Sequence, residues 1–335
     1  MGKRERKISR FTGRWITEQG AGTVEYVIVV LVAIVIGGGL LAFGNQVSGQ
    51  VTKTGAGISS WFSKANGTGG TGGGNAGGGG GAADNRIDEL KEKDPADWTL
   101  DDQKTVAEDI GKKGNSSELY AKAKDAMDAG TEWSMQLTNG STLTYKIIGI
   151  NHDDLADGSG KAGLTFLTTS ENIYSPINDN ERAGGGWEKS ELRKKMNSGE
   201  IWNLMPSNFQ SKVKAITKLT NNSSGAEASK DALVTATVDK LFLLSYSEIV
   251  PTSYWATDYP WTSSEGTQYE AFKGKVMQNA GNNPFISFGE HCYWWERSVD
   301  PRGAGISFLC VNSDGNPWYR DLMNSPDNVC PAFCF

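Results

Sequence analysis

The side chains best suited to covalent chemistry crowd into the end of the chain. Cys292, Cys310, Cys330 and Cys334 all fall in the last 44 residues, with His291 beside the first of them. A thiol becomes a nucleophile when a neighbouring base or cation stabilises its thiolate. Neighbours on a strand point to opposite faces, so His291 and Cys292 do not make such a pair in the strand-like run Cys292-Tyr-Trp-Trp-Glu-Arg-Ser. With His152 as the one other histidine, there is no material for a His-rich metal site or a histidine proton relay. Asp153, Asp154 and Asp157 ahead of Gly158 gather oxygens as a calcium loop does, but position 12 from Asp153 is Leu164 where that loop needs glutamate. The residues therefore predict no enzyme, no metal and no cofactor. Two fates stay open for the thiols: one of three full pairings if the domain is extracellular, or burial as small hydrophobes.

Contact chemistry is better supplied. Residues 299–328 are dense in donors, acceptors and flat rings, the composition of binding surfaces, where Trp, Tyr and Arg anchor and Ser and Asn adapt. The candidate ligand-binding residues are Asp300, Arg302, Ser307, Leu309, Asn312, Trp318, Tyr319, Arg320, Asp321 and Asn324, with Trp294 and Trp295 assigned to the core beneath. The first twenty residues carry six basic and two acidic side chains, which leaves 27 basic and 37 acidic from Ala21 onward. A body that acidic is a poor nucleic-acid binder.

Residues 26–52 carry no charged side chain, a length that crosses or nearly crosses a roughly 30 Å hydrocarbon core as a helix. The preceding Lys3, Arg4, Arg6, Lys7, Arg10 and Arg14 keep the leader cytoplasmic and put the rest outside. Glu25 stands at the lip of the apolar run, where a carboxylate needs a partner or a function. The run Gly20-Ala21-Gly22-Thr23-Val24-Glu25-Tyr26 resembles the prepilins of the Flp, or tight-adherence, branch of type IV pilins. The resemblance implies cleavage after Gly20 by a prepilin peptidase, a mature chain starting at Ala21, and Glu25 and Tyr26 serving assembly. Its implied partners are the pilus assembly machinery, other pilin subunits and the membrane. Major pilins of this kind are little more than the helix, so a chain continuing for almost 300 residues points to a minor or tip subunit.

Composition divides the chain into a leader (1–20), a pilin-like helix (21–65), a Gly-rich spacer (66–83), an acidic helical stalk (84–130) and a C-terminal domain (131–335). In the stalk, Thr99 with Asp102 predicts a capped helix to about Lys112, and Ser117 predicts the cap of another running to Met127 before Gly130. In the C-terminal domain, alternation either side of Asn139-Gly140 predicts a hairpin and 163–168 a strand. Helices are expected at 188–197 and 208–218, a buried strand at 240–245, and strands at 292–298, 306–311 and 329–335. The fold class is α+β.

The blocks Gly149-Ile-Asn-His-Asp-Asp, Gly185-Gly-Trp-Glu-Lys-Ser-Glu-Leu-Arg-Lys-Lys-Met-Asn and Lys240-Leu-Phe-Leu-Leu-Ser-Tyr-Ser-Glu-Ile, with Trp294-Trp-Glu-Arg-Ser and Val329-Cys-Pro-Ala-Phe, resemble surface-protein domains of Gram-positive gut bacteria. That family resembles the C-type-lectin-like fold, in the branch holding formylglycine-generating enzymes and the variable proteins of diversity-generating retroelements. The resemblance implies that the last fifty or so residues face a ligand. The Glu-Pro-Asn and Trp-Asn-Asp tripeptides of calcium-dependent lectins are absent. The expectation is a pilus-associated, cell-surface adhesin whose lectin-like head binds an external protein or glycan on a host, bacterial or phage surface; a sharper version of it makes the head the diversified target of a retroelement. The alternatives are a structural minor pilin with no external ligand and an extracellular enzyme of the formylglycine-generating kind.

Overall fold

The computed structural model describes residues 80–180, 185–222, 232–251, 255–276, 283–289, 292–302 and 305–335. The leader, Gly20, Ala21, Glu25, Tyr26, the pilin-like helix, most of the spacer and His291 lie outside the described residues. Among the described residues no helix is long and apolar enough to cross a membrane. Helices α1 (Gly80–Glu92), α2 (Leu100–Lys113) and α3 (Tyr120–Ala129) come first, then strands β1 (Glu132–Gln136), β2 (Thr142–Ile150) and β3 (Leu164–Thr168). Short helices α4 (Gly186–Lys189), α5 (Glu191–Asn197), α6 (Glu200–Leu204) and α7 (Ser207–Gln210) lead to β4 (Ile216–Asn221), β5 (Val234–Asp239), β6 (Leu241–Phe242) and α8 (Tyr246–Ile249). Strands β7 (Trp294–Val299), β8 (Ser307–Val311), β9 (Tyr319–Leu322) and β10 (Ala332–Cys334) finish the chain. The class is α+β, as expected.

Local chemistry sets the element ends. The Asp102 N–H donates to Thr99 Oγ1 while the Thr99 N–H donates to the Asp102 carboxylate, a reciprocal cap that opens α2. Ser117 does not cap α3 directly: it donates to Asp109, accepts from the Leu119 N–H, and the helix begins at Tyr120. Gly130, at φ 67°, closes α3 from the left-handed region. The expected helix at 188–197 is two, because Ser190 leaves helical backbone and its Oγ caps α5 through the Arg193 N–H. The expected helix at 208–218 is wrong beyond its first turn. The chain turns after Gln210, and from Ile216 it runs as β4, whose residues pair one by one with β5. Residues 80–83, assigned by composition to the spacer, start α1.

Five antiparallel strands form the main sheet in the order β1-β2-β3-β10-β6, so the last strand of the chain sits inside it. Both faces are covered. Ile147, Phe166, Leu241 and Phe333 pack on one side with Val106 and Ile110 of α2, Ala123 of α3 and Trp187 of α4. Their neighbours Ile148, Leu167, Phe242 and Ala332 pack on the other with Trp294, Leu309 and Val311. Strand alternation therefore feeds two cores, which explains the unbroken apolar run at the C-terminus. Rings of Phe166 and Phe333 stack at 5.1 Å, and Phe209 meets Phe333 edge-on at 4.7 Å.

A closed charge network ties the second core together. Lys218 of β4 donates to Asp153, to Glu248 at 2.7 Å and to the Tyr269 hydroxyl at 2.8 Å. Arg297 of β7 makes a bidentate pair with the same Glu248. Two cations thus balance two carboxylates, and Asp153 and Glu248 are held below the usual carboxylate range by these partners against the opposing effect of burial. Two further buried carboxyls lie outside this balance. Burial pushes Glu265 up to about 7 and Glu296 well above its ordinary value.

Candidate ligand-binding face

Strands β7, β8 and β9 form a separate antiparallel sheet with β9 at its edge. The Asp300 N–H donates to Ser307 O and closes the β7–β8 hairpin, which fixes the Asp300 side chain beside both hairpin and edge strand. That carboxylate is fully buried. One oxygen accepts from the Arg302 N–H at 3.1 Å and from Arg302 Nε at 2.9 Å, and the other accepts from Arg320 Nη1 at 2.9 Å. The two guanidiniums remain accessible, with side chains 36% and 51% exposed. Arg302 is held further by its Nη2, which donates to Trp318 O at 3.0 Å, and by the indoles of Trp255 and Trp318, 5.2 and 5.9 Å from its centre. One anion and two cations leave this cluster with a charge of +1, on a chain whose formal net charge is −6.

The turn that delivers β9 is built for rigidity. Asn312 Oδ1 accepts from the N–H groups of Asp314 and Asn316, and Asn316 Oδ1 accepts from the Trp318 N–H. Gly315 (φ 74°) lies so close to Asn283 that an added Cβ would sit 2.1 Å from its carbonyl oxygen, and the Asn283 N–H donates to Asp314 O. No other residue fits that approach.

The structure brings Asp300, Arg302, Trp318 and Arg320 together. It separates the rest. Leu309 is fully buried in the second core and Ser307 is buried in β8, because both faces of that strand are covered, so neither offers a surface for contact. Asn312 is spent on its turn. Tyr319 and Asp321 alternate with Arg320 and so project to the other side of β9: Tyr319, 41% exposed, lies 5.2 Å from Tyr293, and Asp321 accepts from the Leu322 N–H and the Ser325 hydroxyl. Asn324 is exposed in the loop after β9. Trp294 and Trp295 are fully buried, as expected. Trp255, whose indole props Arg302, lies 47 positions before it in the chain, and spacing gave no signal for it.

The remaining candidates for chemistry are locked away. All four cysteines are free thiols in the interior, and burial pushes Cys292 up to about 12 and the other three well above their ordinary value. His152 stacks on Tyr269 at 4.0 Å and pairs with Glu270 at 3.2 Å, which helps hold Glu270 down near 2 against burial. Asp153 is buried on Lys218, Asp154 pairs with Lys161, and Asp157 fastens Ser159. Among the described residues no three His, Cys, Asp or Glu side chains are grouped to hold a metal ion.

The family model described as "Domain of unknown function (DUF6273)" matches residues 162–335, just over half of the chain. No curated protein and no solved structure matches. The matched stretch runs from β3 to β10 and so contains the whole Asp300–Arg302–Arg320 cluster, while β1, β2 and the helices before them lie upstream of it. The chain belongs to the DUF6273 family.

Proposed function

We propose that this protein is a surface-binding subunit: a pilin-like N-terminal helix carries a C-terminal domain of C-type-lectin-like arrangement whose β7–β9 sheet meets an external ligand. One observation carries the reading. Two guanidiniums are presented to solvent by a single buried carboxylate, at the edge of a sheet whose turn is fastened at Gly315 and Asn283. Structural burial of Asp300 requires one cation, and a second exposed cation in fixed geometry suits a partner. The lectin-like assignment draws support from the terminal strand β10 lying inside the main sheet, with β7–β9 forming a separate smaller sheet. Many copies on a filament would let weak single heads hold a surface through effective concentration.

The test separates anchor from head. Glu25→Ala is expected to remove the protein from sheared surface filaments while leaving it in the membrane fraction. Arg302→Ala with Arg320→Ala is expected to leave filament incorporation intact and abolish attachment of the bearing cells. Normal attachment by the arginine variant would move the protein to a structural role in the filament.

A further inference from the structure

We infer that the ligand of this face is an acidic saccharide, one whose ring carries a carboxylate or sulfate, read by Arg302 and Arg320. The inference rests on the binding reading above and names its ligand class. Each guanidinium has five N–H donors. Toward the described residues Arg302 commits two and Arg320 one, which leaves seven among them uncommitted to meet oxygen atoms and, within the cluster of Asp300, Arg302 and Arg320, one positive charge in excess. An oxyanion takes the charge and a paired set of donors, and ring hydroxyls accept from the others.

The backbone argues against the main competing ligand, an extended peptide. Met323 N–H donates to Ile306 O, so by alternation the backbone groups of Arg320 and Leu322 face the open edge. A peptide adding a strand there would need them. The Leu322 N–H, however, is taken by the Asp321 carboxylate and the Leu322 carbonyl by the Ser325 N–H. Among the described residues of this edge Arg320 alone keeps an open pair, too little for a ladder, and the charged side chains beside it discourage pairing further. Recognition on this face therefore runs through side chains, and the charged groups presented beside Asp300 are the cationic donors of Arg302 and Arg320.

The experiment uses the full-length chain in detergent against immobilised glucuronosyl, sulfated glucosyl and neutral glucosyl oligosaccharides, with a poly-glutamate peptide as a further arm. Binding to the glucuronosyl or sulfated ligand, weakened about tenfold to a hundredfold by Arg320→Gln or by Arg302→Gln, supports the inference. The two acidic arms say which oxyanion is preferred. Lys214→Gln is the control: it removes a cation lining a separate cleft of about 310 Å³ beside α2 and is expected to change nothing. Arg320→Lys keeps the charge and is expected to recover part of the loss, which a folding defect would not show. Binding to the neutral saccharide or the peptide that still depends on Arg302 and Arg320 overturns the ligand class and keeps the binding face. Acidic-saccharide binding indifferent to both arginines overturns the face, and no binding in any arm overturns the inference.

Discussion

Replacing Arg297 by Met tests the buried network most sharply. The guanidinium is fully buried: Nε donates to Thr220 Oγ1, and the two terminal nitrogens reach Glu248 and the carbonyls of Leu243, Leu219 and Glu265. Methionine fills similar volume but supplies no donor and no charge. Lys218 then faces two buried carboxylates, Asp153 and Glu248, alone. Breaking a buried pair by removing one partner costs about 3–5 kcal/mol, a fifth or more of the ~5–15 kcal/mol that holds a typical domain. Urea unfolding followed by tryptophan fluorescence should show that loss, with a fall in Tm of roughly 10 °C. The double variant Arg297→Met with Glu248→Gln restores the charge balance, leaving Lys218 with Asp153, and should recover much of the loss. A single-variant cost below about 1 kcal/mol would mean that the network is not the closed, charged array described.

Other consequences are as specific. The unfolded chain holds a Glu265 proton near pH 4.5, the folded chain near 7. The folded state therefore loses stability as pH rises between those values and stands about 3 kcal/mol lower above pH 7, at ~1.4 kcal/mol per tenfold. Glu265→Gln removes this dependence, so pH-resolved unfolding should show the variant gaining on the parent with pH, and a constant difference would refute it. An added Cβ at Gly163 would lie 1.8 Å from the Ala107 carbonyl oxygen, so Gly163→Ala should push α2 off β3, cost about 3 kcal/mol and raise amide exchange in α2. Thr99→Ala removes the cap of α2 and should cost about 1 kcal/mol by thermal melting.

Much of the fold was legible where one short stretch decides its own shape. The Thr99–Asp102 cap, Gly130, the β1–β2 hairpin and the strands at β3, β7, β8 and β10 were all readable. The hairpin turn itself is longer than its Asn-Gly pair implies, since the Gly140 N–H donates to Leu137 O and the Leu137 N–H to Ser141 O. Failures came where distant residues decide. Lys218 stands at the end of the expected helix 208–218, yet it is buried in β4, where Asp153 and Glu248, 65 and 30 positions away in the chain, meet it. The residue types of Asp300, Arg302, Trp318 and Arg320 pointed to contact chemistry. Their mutual arrangement did not follow from spacing, and neither did the burial of Ser307 and Leu309, because type alone does not say which strand is covered on both faces. The N-terminal reading rests on a motif outside the described residues and stands on its own test with Glu25.

The most direct measurement of the central claim is photo-crosslinking on intact cells. A benzoyl-phenylalanine placed at Leu322, which is 41% exposed and on the same side of β9 as Arg320, is compared with the same group at Leu233, 79% exposed beside β5. The binding-face account predicts ligand adducts at position 322, lost with Arg302→Gln and Arg320→Gln, and none at 233. Adducts at 233 with none at 322 would contradict it.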